Sequence, residues 1–84
     1  MIRKPKVGQK VWVDTEAAGW GKYGECSPWE LCEIRLKHPG YPAEVCVDRP
    51  RPGSGEWWVA LTACYTERQM LRECLLRAAG HDQP

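Results

Sequence analysis

Between Val7 and Leu61, four short runs of alternating apolar and polar residues are each cut off by glycine or proline. Only after Thr66 does a helical period begin. This punctuation constrains the fold more than any composition value, because a strand changes face at every residue whereas a helix repeats every 3.6. In the first run Val11 and Val13 share a face and Trp12 takes the other. In the second, Trp29 to Lys37, the face Cys32, Ile34, Leu36 opposes Glu33, Arg35, Lys37. In the third, Ala43, Val45 and Val47 point inward, while Glu44 and Asp48 point outward with Cys46 between them. In the fourth, Trp57, Val59 and Leu61 oppose Trp58 and Ala60. The connections are Ala17–Gly24, rich in glycine and carrying Trp20 and Tyr23, a turn over His38–Pro42, and a hairpin loop Arg49–Gly55 with two arginines. The first of these is read as a flexible connection whose Trp20 and Tyr23 fold back over the barrel, with a binding loop as the alternative.

The last element carries its own start signal. Thr66-Glu67-Arg68-Gln69 fits the capping box, in which the Thr hydroxyl and the Gln side chain satisfy two orphan backbone donors. Leu71, Cys74, Leu75 and Ala78 then form an apolar stripe with Met70 on its flank. Arg77 complements the carbonyl end and Gly80 supplies the stop. The expected organisation is one domain over residues 1–84: a basic arm (1–6), a β-barrel (7–65), a helix (66–80) and a fraying tail (81–84). The fold class is mainly β: a small antiparallel barrel of four to five short strands plus one C-terminal amphipathic helix. Closure hides strand edges; an open four-stranded sheet with the helix across one face is the alternative.

The order of features resembles the SH3-like small barrels in the broad sense, including Tudor and PWWP modules. Val7-Gly8-Gln9-Lys10-Val11-Trp12-Val13 is similar to their entry strand, Tyr41-Pro42-Ala43-Glu44-Val45 to their Y/W-P-A-x-V segment, and Gly55–Ala60 to the Trp-Trp pair of SH3 domains. The chain lacks an ALYDY-type segment and the closing S-N-Y. The resemblance therefore implies the barrel fold and a binding role, and does not extend to recognition of proline peptides.

Charge and cysteine content narrow the function classes. Twelve basic and eleven acidic residues give a formal net charge of +1, whereas dedicated nucleic-acid binders carry a strongly basic domain. No run approaches the roughly 20 apolar residues of a membrane span, and the basic start Met1–Lys6 leads into no apolar segment of the signal-peptide kind. A cytoplasmic protein with no membrane partner is expected. Five cysteines, an odd number without C-x2–4-C spacing, read as buried thiols rather than disulfides or a metal site.

Five Trp and no Phe point to aromatic contact surfaces. The leading expectation is a non-catalytic module that binds a protein or peptide partner through Trp58, Trp12, Tyr41 and Trp57 and forms a homo-oligomer. Trp58 comes first; Trp57 is included because a one-residue slip would exchange the two. The plain alternative places Trp12 and Trp58 beneath the C-terminal helix. A second function class is nucleic-acid binding through Arg3, Lys4 and Lys6 (with Lys10 nearby) and the loop residues Arg49 and Arg51. Enzymatic activity has the least support. There is no phosphate loop, H-E-x-x-H or G-x-S-x-G, neither His38 nor His81 is placed beside a thiol, and no cofactor or metal is called for. A site shared at a subunit junction is the one route to catalysis that a single chain would hide.

Overall fold

The computed structural model describes residues 2–23, 27–38, 40, 43–48 and 55–81. Strands β1 (Lys10–Asp14), β2 (Trp29–Lys37), β3 (Glu44–Asp48) and β4 (Glu56–Ala60) form an antiparallel meander. A 3₁₀ turn over Leu61–Ala63 leads to a fifth strand, β5 (Cys64–Tyr65), which pairs with β1. The result is a single five-stranded sheet of order β4-β3-β2-β1-β5, followed by helix α1 (Glu67–His81). At two residues, β5 is too short to leave a period in the sequence.

Register sorts the side chains. Val11 lies opposite Cys32, Val13 opposite Cys64, Ile34 opposite Val47 and Val45 opposite Val59. All eight are buried on the inner face. Each Val or Ile buried in this way stabilises the fold by about 1.5–3 kcal/mol relative to exposure. A chain this small needs more than its strands supply, and Trp20 completes the core. It sits on a 3₁₀ turn (Trp20–Tyr23), is 2% exposed, and meets Trp57 at 6.0 Å between ring centroids. Thr15 ties down the base of this loop: its Oγ1 donates to the carbonyl of Ser27 at 2.7 Å, and its own carbonyl accepts from the Trp20 N–H at 3.0 Å. Gly19, at φ +74°, makes the turn that delivers Trp20 in a conformation open to few other residues. The fold-back reading of this loop is therefore correct for Trp20.

Three inward assignments are corrected. Leu36 is 53% exposed, because Ile34 faces Val47 while Leu36 faces Cys46. The extra residue is a β-bulge, which turns Leu36 to the outer face. Ala43 precedes β3 and is exposed. The helix stripe is displaced by one residue. The capping box forms, with the Thr66 N–H donating to Gln69 Oε1 at 3.0 Å and the Gln69 N–H to Thr66 Oγ1 at 3.2 Å. Yet Met70 is the buried residue, and Leu71, Leu75 and Ala78 are exposed. Arg77 shares the sheet-facing side with Met70. It donates to Asp14 Oδ2 at 2.6 Å and lies 5.0 Å from the Trp29 ring, so the i, i+4, i+7 face Met70, Cys74, Arg77 turns to the sheet. Gly80 lies inside α1, which runs to His81.

Cys32, Cys46 and Cys64 are buried and Cys74 is half-buried, while Cys26 lies outside the described residues. Burial pushes the Cys64 thiol up to about 11, so it packs as a neutral group. Among the described residues no helix is long and apolar enough to cross a membrane.

Candidate binding face and basic cleft

The outer face of the sheet is built from the residues that alternate with the core. Across β2, β3 and β4, Leu36, Cys46 and Trp58 lie in one row. Trp58 is 47% exposed and Cys46, between its two large neighbours, is buried. Desolvation, then the nearby Glu56 and Asp48, pushes the Cys46 thiol up. His38, just past the end of β2, sets its ring 5.4 Å from that of Trp58 in an edge-on arrangement. The Gly40 N–H donates to His38 Nδ1 at 3.2 Å, which helps fix the ring against Trp58.

A charged belt borders this row. Asp48 stands opposite both Glu33 and Glu56, a register that brings like charges together. Arg35 relieves it, reaching Asp48 Oδ2 at 2.8 Å and Glu33 Oε2 at 3.2 Å, and Lys10 adds a contact to Glu33 at 3.3 Å. The Asp48 hydrogen bond and the Glu33 charge hold the Arg35 guanidinium above its usual range. Beyond the belt a second row joins Leu31, Trp12 and Tyr65.

At the Trp58 end the N-terminal arm forms a cleft of about 700 Å³. Ile2 is buried in the core and anchors the start of the arm. A turn closed by the Gln9 N–H to the Lys6 carbonyl (3.0 Å), with Gly8 at φ +91°, brings its other end onto β2. The Gly8 N–H donates to the Ile34 carbonyl at 2.7 Å. Arg3, Lys4 and Lys6 thereby share the cleft with Lys37 and His38, over a floor of Val45 and Leu61. Among the described residues Glu44 is the one carboxylate lining it. Among the described residues no ion pair engages Arg3, Lys4, Lys6 or Lys37.

The sequence-predicted contact residues are divided by this geometry. Trp58 is outward and open. Trp12 is outward, half-buried, and across the charged belt from Trp58, so the two do not share a site. Trp57 packs against the core on the inner side. Tyr41, Arg49 and Arg51 lie outside the described residues. Helix α1 packs on β1 and β5, at the opposite edge of the sheet from β4, and so leaves Trp58 open. Arg3, Lys4 and Lys6 converge as a group, whereas Lys10 is spent in the belt. Lys37, His38 and Leu36 were missed. The only sequence signal for them was a basic pair ahead of a turn, and the bulge that exposes Leu36 left none.

Among the described residues no three His, Cys, Asp or Glu side chains are grouped to hold a metal ion. Comparison with family models, with curated proteins and with solved structures finds no match for this chain.

Proposed function

We propose that the protein is a non-catalytic binding module of the SH3-like small-barrel kind, which takes an extended partner chain across the Trp58 face. The observation that carries this reading is the half-exposed Trp58, backed by Leu36 and Cys46 and held by His38, which also lines an open cleft. A large aromatic held rigid yet open to solvent is the side chain most often found at interface hot spots. The meander, whose fifth strand returns to β1, supports the barrel reading, since closure draws the ends of a sheet together.

Trp58→Ala is expected to cost no more than about 1 kcal/mol of stability, the usual range for a residue outside the core. The same change should remove the partner-induced fluorescence response. Urea unfolding of both proteins checks the first part. A loss of about 3 kcal/mol or more would make Trp58 a structural residue and end this reading.

Self-association is a second reading, favoured by Leu71, Leu75 and Leu76, which are 55%, 73% and 57% exposed on α1. Small domains gain the apolar burial they lack by pairing, most often as symmetric dimers. Light scattering should return twice the 9.6 kDa chain mass, reverting to the monomer in Leu71→Lys/Leu75→Lys. A monomer at all concentrations would leave the helix face as solvated surface.

A further inference from the structure

We infer that the partner chain is a single-stranded nucleic acid, its phosphates in the basic cleft and a base stacked on Trp58. This rests on the binding-module reading above and names its ligand. Two features that meet at His38 carry it. Among the described residues four cations, Arg3, Lys4, Lys6 and Lys37, line one cleft against a single carboxylate, Glu44. An exposed aromatic adjoins it, with His38 common to both, since it lines the cleft and touches the Trp58 ring at 5.4 Å.

The near-zero net charge does not oppose this. The carboxylates of Glu33, Asp48, Asp14 and Glu73 are engaged by Lys10, Arg35 and Arg77 elsewhere on the protein. What remains at the cleft is locally cationic, and local potential rather than net charge attracts a polyanion. An acidic peptide would satisfy the cations as well. It would leave the flat face of Trp58 without the planar partner that every nucleotide supplies, and sequence-tolerant stacking beside a basic groove is how single strands are held. A duplex keeps its bases stacked inside and cannot use Trp58 in this way.

The test uses the whole chain and a fluorescein-labelled oligothymidylate of roughly twelve nucleotides, followed by anisotropy over a salt series. Binding should weaken with salt at a log–log slope of about −2 to −3, the value for three or four phosphates neutralised on a single strand. Lys4→Glu/Lys37→Glu should lower affinity at least about tenfold and flatten the slope. Trp58→Ala should lower it by about tenfold with the slope unchanged, and Trp58→Tyr should restore most of it. Circular dichroism melts confirm that each variant is folded. No binding at about 50 mM salt, equal binding of the matched duplex, or undiminished binding by the variants overturns the inference. If an oligoglutamate peptide binds instead, with loss in Trp58→Ala, the nucleic-acid assignment fails while the module reading survives. Unfolding of Trp58→Ala removes both.

Discussion

Trp20→Ala should lower the unfolding free energy by about 3–5 kcal/mol, the cost of deleting a large aromatic from a core that cannot collapse around the gap. Small single domains hold roughly 5–15 kcal/mol in total, and an 84-residue chain belongs at the lower end. Much of the variant would therefore be unfolded near physiological temperature. The size of the effect follows from position. Trp20 is 2% exposed, although it stands on a connection rather than on a strand, and its ring covers the inner face beside Trp57. Deleting it also leaves the Thr15–Ser27 tether holding a loop that no longer contributes to the core. Urea unfolding followed by far-ultraviolet circular dichroism measures the change, and Trp20→Phe should recover part of it. A loss below about 1 kcal/mol would show that the loop does not cap the core in solution.

The second large effect is at the helix dock. Asp14 is 4% exposed and accepts two contacts that hold separate parts of the chain together. Its Oδ2 takes the Arg77 guanidinium at 2.6 Å, and its Oδ1 takes the Ala17 N–H at 3.3 Å. The Asp14 hydrogen bond is the main cause pushing Arg77 above its usual range. Removing the cation strands a nearly buried carboxylate, which usually costs more than the pair contributes. Because the Arg77 side chain is 46% exposed, solvent screening reduces that cost, and Arg77→Ala should lose about 1–2 kcal/mol. Asp14→Ala should lose about 2–3 kcal/mol, since it also abandons the Ala17 N–H. A double-mutant cycle should give a coupling of at least about 0.5 kcal/mol. Amide exchange in residues 70–81 should accelerate in either variant while the strands stay protected. Unchanged exchange there would mean that Met70 and the capping box alone hold α1 in place.

Much of the fold was legible along the chain. The four long strands lie close to where alternation put them, and the inner and outer faces of β1, β3 and β4 are as the period dictates. Thr66 and Gln69 announced the helix start through an interaction only three residues long. The candidate site was half legible. Parity alone put Trp58 on the outer face, and Arg3, Lys4 and Lys6 stood out as a basic group. Nothing placed them beside one another, since Lys4 and Trp58 are 54 residues apart in sequence and meet at the same end of the molecule only once the meander forms.

The sequence by itself determined the local choices: which segments alternate, where each must break, where the helix begins, and which side of a strand each residue takes. These depend on backbone dihedrals and near neighbours, so they are written in residue order. The tertiary structure decided what depends on contacts between distant segments. It chose the bulge that exposes Leu36, because pairing with β3 shifts register between Ile34 and Leu36. It chose the rotation of α1, which turns Met70 and Arg77 to the sheet, sets Arg77 2.6 Å from Asp14 and leaves Leu71 and Leu75 exposed. It also brought the N-terminal arm against the end of β2, because Ile2 is buried in the core and a Gly8 turn aims the chain there. The basic cleft beside Trp58 exists only as a result of that last choice.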